Sequence, residues 1–464
     1  MKEYIYPNRV LVYNGGTGEK LLVKQPLQIG LCEVNTTVFE ENSYVIFDFG
    51  MELHGGARIL TFKAKNVPVR IRFGESLTEC CSDIGGKTNA TNDHSNRDFT
   101  VNLQNFSDMT FGQTGFRFVR LDFGGHVEIK TVVAENNIFK KPAVYRYEGS
   151  DERIRDIYTA AKRTIDLCAS SGYIWDGVKR DRLVWIGDMS PEVIAMTTLY
   201  GRQACIERSL DFIKDQTPLP GWMNTMPMYS LWWIIILADY CERTGARTYA
   251  RKQLDYLSAL IKQMDSCVLS DGKLNYPSYF VDWPTHHQPD ELAGCRAINI
   301  IATRKAIDLL TEFSWDTTVA EGLLEKLLKI EIEVKTAKQV LGLKHFATGL
   351  TDEDKAKLVE GGANGMSTFM SYYILTAVAS FDKPKAIEMM KDYYGAMLDK
   401  GATTFWEDFE MDWAENSCRI DELPKEGERD IHGDFGKFCY VGFRHSLCHG
   451  WSAGVIGFMK EMGL

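Results

Sequence analysis

The hydrophobic period of the sequence changes once, near residue 145, and this change limits the fold more than any other feature. Before it, apolar and polar residues alternate, as around Val69, Ile71 and Phe73, which is the period of a β-strand with one buried face. After it, apolar residues recur every three or four positions, which is the period of an amphipathic helix. We therefore predict a β domain over residues 1–145 and a helical domain over residues 146–464.

The β domain is predicted to be an antiparallel β-sandwich. Clusters of Gly, Asn and Asp separate its short apolar runs, as turns do in such folds. The predicted strands cover residues 20–25, 44–49, 58–65, 69–73, 99–103, 116–121 and 127–133. A polar, Gly- and Asn-rich stretch over 78–97 predicts a long loop.

The helical domain is predicted to be a ring of paired helices. The predicted helices cover residues 154–168, 191–214, 229–243, 247–269, 292–313, 317–340, 366–379, 384–398 and 446–462. Ser190 is the expected N-cap of the second helix, with Pro191 in its first turn. Because no strand pattern lies between these helices, paired helices in a toroid fit better than a βα repeat.

Charge and cysteine usage exclude several function classes. A net charge of −10 and a pI near 5.5 leave no basic surface for nucleic acid. The sequence has no apolar run long enough for a membrane span and no secretory signal at its start, so we expect a cytoplasmic protein. The eleven Cys residues are irregularly spaced, and nucleotide-binding glycine motifs are missing, so we expect neither a metal nor a cofactor.

The distribution of tryptophan points to a sugar. All ten Trp residues lie in the predicted helical domain, and indole rings stack on the apolar faces of sugars. Trp185, Trp222 and Trp283 are therefore candidate binding residues. The alternative is that these side chains fill helix–helix interfaces.

The densest group of charged residues is the segment W-D-G-V-K-R-D-R-L-V-W-I-G-D-M over 175–189. It interleaves Asp176, Asp181 and Asp188 with Arg180. Gly residues beside two of the Asp favour irregular backbone, so we predict a loop that leads into a helix. The alternative is an Arg–Asp network that only ties helices together.

A second acidic segment, T-T-F-W-E-D-F-E-M-D-W over 403–413, contains Glu407. Glycosidic cleavage needs one carboxylic acid to protonate the leaving oxygen and a second carboxylate to activate water or attack carbon. A chain with two acidic loops is equipped for this reaction. The alternative here is a solvated acidic loop with aromatic anchors.

Asp181 is flanked by Arg180 and Arg182, which favour its ionised form, whereas a general acid must keep its proton. We expect Asp176 and Asp188 to converge on the same pocket and to oppose the Arg residues by like-charge repulsion.

Two further segments offer weaker candidates. The segment F-V-D-W-P-T-H-H over 280–287 places Asp282 and Trp283 on a predicted loop, where they could contact and stack on a sugar. Its adjacent histidines do not have the i, i+4 spacing of a helical zinc site. His449 lies near the start of the last predicted helix.

The first acidic segment resembles the signature of the bacterial α-L-rhamnosidases, glycoside hydrolase family 78. Asp176, Arg180, Asp181, Trp185 and Asp188 match that signature in order. The family often has R-D-E-R-L-G-W where this chain has R-D-R-L-V-W, so an Asp stands where a Glu acid is usual. Segments similar to the family's β-sandwich are V-I-F-D-F-G-M-E-L-H-G over 45–55, R-F-G-E-S-L over 72–77 and F-R-F-V-R-L over 116–121.

The resemblance implies an (α/α)6 barrel of the six-hairpin glycosidase type and an inverting hydrolase of terminal α-L-rhamnose or a close deoxy-sugar. It implies Asp181 as general acid and Glu407 as general base, with His449 contacting the sugar and Trp283 forming a stacking wall. Asp176, Arg180 and Asp188 would hold the sugar. Family members usually carry further β domains, so the chain resembles a minimal member.

Two other functions remain open at the level of sequence. Inverting sugar phosphorylases also join a β-sandwich to a helical barrel, but they need an anion pocket in place of a water-activating base. A sugar-binding paralogue could have lost turnover through the Asp at position 181.

Overall fold

The computed structural model describes residues 2–14, 18–86, 88–438 and 440–464. The first third of the described chain is an antiparallel β-sheet of eight strands. The strands are β1 (Lys2–Ile5), β2 (Arg9–Asn14), β3 (Thr37–Phe39), β4 (Tyr44–Lys63), β5 (Lys65–Gly74), β6 (Asp98–Gln104), β7 (Ser107–Phe123) and β8 (Val127–Asn137).

The sheet has the order β1-β8-β4-β7-β5-β6, with β2 also paired to β4 and β3 to β8. The long strand β4 pairs with β2 along one half and with β8 along the other, and its register with β7 shifts between Asp48 and Leu53. Alternate side chains from both halves of β4, including Phe47 and Ile59, share one buried core. This arrangement is consistent with the predicted β-sandwich.

The rest of the described chain is helical. The α-helices are α1 (Leu77–Cys81), α2 (Glu152–Cys168), α3 (Met189–Tyr200), α4 (Ala204–Asp215), α5 (Pro227–Thr244), α6 (Arg247–Arg251), α7 (Leu254–Ser266), α8 (Glu291–Glu312), α9 (Thr318–Leu327), α10 (Lys338–Ala347), α11 (Asp352–Val359), α12 (Ser371–Ala379), α13 (Lys383–Asp399) and α14 (Val455–Glu461). The predicted change from strands to helices is thus confirmed, with the short α1 as the one α-helix inside the β-rich part of the described chain.

Six of the helices pack in sequence against one another. Helix α3 contacts α5, α5 contacts α8, α8 contacts α10, α10 contacts α12, α12 contacts α14, and α14 returns to α3. Every residue of α3 and most of α5 are buried, as expected for helices covered on all sides. The amphipathic helices α2, α4, α7 and α9 bury one stripe each.

Several predicted boundaries were wrong. The helix predicted over 191–214 is two helices, α3 and α4, separated at Gly201, whose φ of 64° ends the first one. The predicted N-cap Ser190 lies inside α3, which begins at Met189. Residues 20–25, predicted as a strand, contain a 3-10 turn that carries the buried Leu21 into the sheet core.

The helix predicted over 247–269 is split into α6 and α7, and the helix predicted over 317–340 ends at Leu327 with α9, while α10 begins at Lys338 and continues past the predicted end. Helix α11 was not predicted, because its charged start lacks an apolar stripe. No helix in the described ranges has the length and apolar character needed to cross a bilayer.

Candidate active site

The first acidic segment is a loop between α2 and α3, as predicted. It lies against the short 3-10 helix that precedes α14. The amide of Gly450 donates a hydrogen bond to the carbonyl of Asp176 over 2.6 Å, and Gly177 forms an isolated antiparallel bridge with His449. Asp188 is the last residue before α3. The chain therefore brings two segments together that are far apart in sequence.

His449 stands at the centre of three carboxyl groups. Its Nε2 lies 4.0 Å from Asp176 Oδ2, 4.0 Å from Asp188 Oδ2 and 3.9 Å from Glu407 Oε1. All four side chains are buried. The predicted convergence of Asp176 and Asp188 therefore occurs, and it includes Glu407 from the second acidic segment.

Burial sets the protonation of this centre. Burial raises the pKa of Asp176 well above its ordinary value, and the nearby carboxyl groups of Asp181 and Asp188 raise it further. Burial also raises the pKa of Asp188 to about 8, although the Tyr229 hydroxyl that donates to it over 2.8 Å opposes this rise. Burial, followed by the charge of Arg180, lowers the pKa of His449 to about 3. Near neutral pH the centre thus holds a neutral imidazole on His449 and protonated carboxyl groups on Asp176 and Asp188, which can donate hydrogen bonds.

The raised pKa of Asp188 predicts a pH-dependent loss of stability. The folded protein keeps a proton on Asp188 up to a pH of about 8, whereas the unfolded chain loses this proton near the ordinary pKa of 3.8. The stability that Asp188 contributes is therefore fully present below pH 3.8 and is lost as the pH rises to about 8. Asn imitates the protonated form. We expect the free energy of unfolding of Asp188→Asn to match that of the wild type near pH 4 and to exceed it at pH 8. The gap should grow by at most about 1.4 kcal/mol per pH unit.

Urea titrations at pH 4, 6 and 8 measure this difference, and the pH 4 pair is the internal control. Equal pH slopes for the two proteins would contradict the prediction.

Arg180 links the two residues predicted as acid and base. Its Nη2 donates to Glu407 Oε1 over 2.5 Å, and its Nη1 lies 3.5 Å from Asp181 Oδ2. Arg182 points elsewhere and donates to the carbonyls of Gln113 and His94. Arg182 therefore does not add to the contact of Arg180 with the Asp181 carboxyl. This removes part of the conflict between two flanking Arg residues and the proton that a general acid must keep.

Backbone amides and side chains fix Glu407. The amide of Ser446 donates to Glu407 Oε2 over 3.0 Å, while the Trp451 indole and the Thr368 hydroxyl donate to the Glu407 carbonyl over 2.9 and 2.6 Å. Next to it, the buried carboxylate of Glu75 accepts from the amide of Leu447 over 2.6 Å. Glu75 belongs to the β-rich part of the chain, so that part supports the position of Glu407.

A row of aromatic rings borders the centre. Trp185 meets Tyr229 at 6.1 Å between ring centroids, Tyr229 meets Phe280 at 6.0 Å, and Phe280 meets Trp283 at 5.1 Å. The exposed ring of Phe438 stacks on Trp283 at 5.4 Å. Trp185 and Trp283 are thus connected to the site through other rings.

Two further predicted residues have partners outside the carboxyl centre. The carboxylate of Asp282 accepts hydrogen bonds from the hydroxyls of Thr285 and Ser367 over 2.7 and 2.8 Å, which occupies both of its oxygens. Trp222 packs edge-on against Tyr276. Their assignment to sugar binding stays a prediction.

Glu192, which lies one helical turn after Asp188, was not among the residues predicted from the sequence. Its side chain is completely buried, and within the described residues neither carboxyl oxygen has a hydrogen-bond partner. Burial raises its pKa well above the ordinary value, and Asp188 and Asp176 add to the rise. Gly450 leaves the room for this carboxyl, because a Cβ there would overlap Glu192 Oε1. The sequence offered one signal for Glu192: it lies four residues after a candidate Asp, and residues at this spacing share one face of a helix.

This close approach predicts that Gly450→Ala is destabilising. The added methyl group overlaps a buried carboxyl, and overpacking of this kind costs about 1–3 kcal/mol. Gly322→Ala in α9 is the matched control, because a Cβ there meets no atom within 4 Å and Ala is favoured over Gly in a helix by about 0.5–1 kcal/mol. Chemical denaturation of both variants measures the effect, and a Gly450→Ala protein as stable as the control would contradict it.

Two groups of side chains in the described ranges have the spacing of metal ligands. In the first, Glu75, Glu79 and His432 surround Lys179, whose Nζ lies 3.1 Å from each carboxyl group, so the amino group of Lys179 already lies between them. Burial lowers the pKa of Lys179 to about 7. In the second group, the imidazole of His286 is hydrogen-bonded to Glu291 over 2.7 Å.

No protein-family model and no curated protein sequence matches the chain. Solved structures do. A rhamnosidase from Klebsiella oxytoca with rhamnose bound is 17% identical with a TM-score of 0.76, over 100% of this chain and 96% of that one. A GH78 family rhamnosidase of Bacillus sp. GL1 is 17% identical with a TM-score of 0.73, over 95% of this chain and 48% of that one.

The α-L-rhamnosidase of Streptomyces avermitilis complexed with L-rhamnose is 16% identical with a TM-score of 0.58, over 90% of this chain and 42% of that one. The chain thus spans about half the length, or less, of the Bacillus and Streptomyces proteins and nearly all of the Klebsiella one. The likeness in fold covers nearly the whole chain although few residues are identical. The chain therefore shares the β + α fold of these α-L-rhamnosidase structures.

Proposed function

We propose that the chain is an inverting glycoside hydrolase that releases terminal α-L-rhamnose, or a close deoxy-sugar, from its substrate. Asp181 is the general acid, and Glu407 is the general base that activates water. The observation that carries the proposal is the contact of one guanidinium, that of Arg180, with both Asp181 and Glu407 beside a buried carboxyl centre. The likeness in fold to the rhamnosidases supports the choice of sugar.

Inversion is what the resemblance to the rhamnosidases implies, and the position of Arg180 between Asp181 and Glu407 is compatible with it. Inverting pairs are separated by about 6.5–9.5 Å to leave room for water, whereas retaining pairs are about 5 Å apart. The arrangement is therefore compatible with a water molecule between Glu407 and the anomeric carbon.

The buried centre is suited to hold the sugar. Asp176, Asp188 and the neutral His449 offer donors and acceptors to hydroxyl groups in a site that excludes bulk water. Arg180 adds a fixed fork of donors. Trp185 and Trp283 supply apolar faces for stacking.

We also propose that the helical part is an (α/α)6 barrel over residues 146–464, following a β-sandwich over residues 1–145. The closed packing of α3, α5, α8, α10, α12 and α14 supports six inner helices. Four candidate residues each precede the N-terminus of a different inner helix: Asp188 precedes α3, Trp222 α5, Trp283 α8 and His449 α14. The site therefore lies at one end of the ring.

The proposal is tested by incubating the protein with a panel of aryl glycosides in phosphate-free buffer. We expect release from the aryl α-L-rhamnoside and, in ¹H NMR of the first turnovers, β-L-rhamnose as the initial product. Strict dependence on added phosphate would instead favour a phosphorylase. Binding of L-rhamnose without turnover of any substrate would favour a sugar-binding protein.

A further inference from the structure

The long loop between α1 and β6 reaches from the β-rich part of the chain to the first acidic segment. The carbonyl of Thr88 accepts from the amide of Phe443 over 2.7 Å, and the Asn89 side chain donates to the carbonyl of Val441 over 3.2 Å. At its far end, Arg182 donates to the carbonyl of His94 over 2.7 Å. The loop is therefore held against the helical part at both ends.

This loop places an imidazole on Asp181. His94 Nε2 lies 3.2 Å from Asp181 Oδ1, while Arg180 approaches the other oxygen, Oδ2, at 3.5 Å. The His94 side chain is 35% exposed and that of Asp181 is 17% exposed. Each carboxyl oxygen of Asp181 thus has its own nitrogen partner.

The backbone on both sides of this contact is unusual. His94 has a φ of 65°, Asp181 of 55° and Arg182 of 56°, all in the left-handed region that residues other than Gly seldom adopt. Such conformations cost free energy and persist where the surrounding contacts impose them, often at functional sites. Both partners of the contact, His94 and Asp181, are among these three residues.

We propose that His94 is a positioning residue that holds the Asp181 carboxyl in the orientation needed to protonate the leaving group. The inference rests on the proposed function of Asp181. The proton that reaches the glycosidic oxygen comes from Asp181, which becomes a carboxylate as the bond to the aglycone breaks, and His94 only orients the group that gives it. The β-rich part of the chain then contributes to catalysis through the position of Asp181.

Kinetics with two leaving groups test this role. For a phenyl α-L-rhamnoside, whose departure needs a proton, we expect His94→Ala to lower kcat about tenfold, the effect of losing one hydrogen bond to a charged group, with KM within twofold. For a 2,4-dinitrophenyl α-L-rhamnoside, which leaves unprotonated, kcat should stay within twofold of the wild type. His94→Gln, which keeps a donor near Asp181, should recover most of the loss.

His126→Ala is the matched control. His126 lies in the same β-rich part, is half exposed and is paired with Glu40 over 2.9 Å, so its removal should leave both rates unchanged. An equal loss on both substrates in His94→Ala, or no loss on either, overturns the positioning role.

A chemical measurement separates this inference from the proposed function. The rate at which diethyl pyrocarbonate modifies His94, followed by peptide mass spectrometry, should rise severalfold in Asp181→Ala, because the imidazole loses its partner. The His126 peptide in the same samples should react at an unchanged rate. If the wild type turns over no glycoside, the proposed function fails, and with it the role of His94 in catalysis; an unchanged His94 rate overturns the pairing itself.

Discussion

Replacing Glu407 with Gln is expected to lower the turnover of an aryl α-L-rhamnoside by about 10²–10⁴-fold, the usual contribution of a general base. Gln has the same size and still accepts the hydrogen bond from the Ser446 amide, but it cannot take a proton from water. The loss should appear in kcat, with KM little changed, and should be the same for good and poor leaving groups. Initial rates with phenyl and dinitrophenyl substrates measure it.

Glu410→Gln is the control for this variant. Glu410 lies three residues away in the same acidic segment, is partly exposed and pairs with Lys437, so its charge change resembles that of Glu407→Gln. We expect wild-type kinetics for Glu410→Gln. A Glu407→Gln protein with rates close to this control would remove Glu407 from the mechanism.

Replacing Asp181 with Asn is expected to produce a loss that depends on the leaving group. With a phenyl substrate, kcat should fall by about 10²–10⁴-fold because no proton reaches the departing oxygen. With a 2,4-dinitrophenyl substrate, most of the wild-type rate should remain. The ratio of the two rates therefore distinguishes a general acid from a residue that supports the fold.

The exposed Asp83 provides the matching control, since its side chain is 77% exposed and contacts Arg70. Asp83→Asn should leave both rates unchanged. If Asp181→Asn loses equal activity on both substrates, the acid must be sought elsewhere. Asp408 is then the first alternative, because burial raises its pKa to about 7 and it neighbours Glu407 in the sequence.

The sequence was a good guide to the order and type of the elements. Period-two runs marked most of the strands, and the apolar stripes marked α2, α5, α8 and α13 within a few residues. The breaks inside longer helical patterns were missed, because an apolar stripe can continue past a residue such as Gly201 where the backbone turns. The charged helix α11 was missed because it packs through few apolar residues.

The candidate site could be predicted only in part. The residue types and their spacing singled out Asp176, Asp181 and Asp188, because carboxyl groups grouped with Arg and Trp are unusual in one loop, and Glu407, because its segment places several carboxyl groups between two Trp residues. The partners Tyr229, Glu192 and His94 had no signal of this strength, since a lone polar residue in an apolar helix or a polar loop is common.

What the sequence by itself determined is the succession of a β-rich part and a helical part, and the two acidic segments that equip the chain for glycosidic chemistry. Periodicity and residue type are local properties, so they can be read without knowing which segments meet. Only the tertiary structure decided that His449 joins three carboxyl groups, that Arg180 lies between Asp181 and Glu407, and that a loop from the β-rich part brings His94 to Asp181. Burial and the distances between charges determine protonation, and both arise only when residues far apart in the chain are packed together.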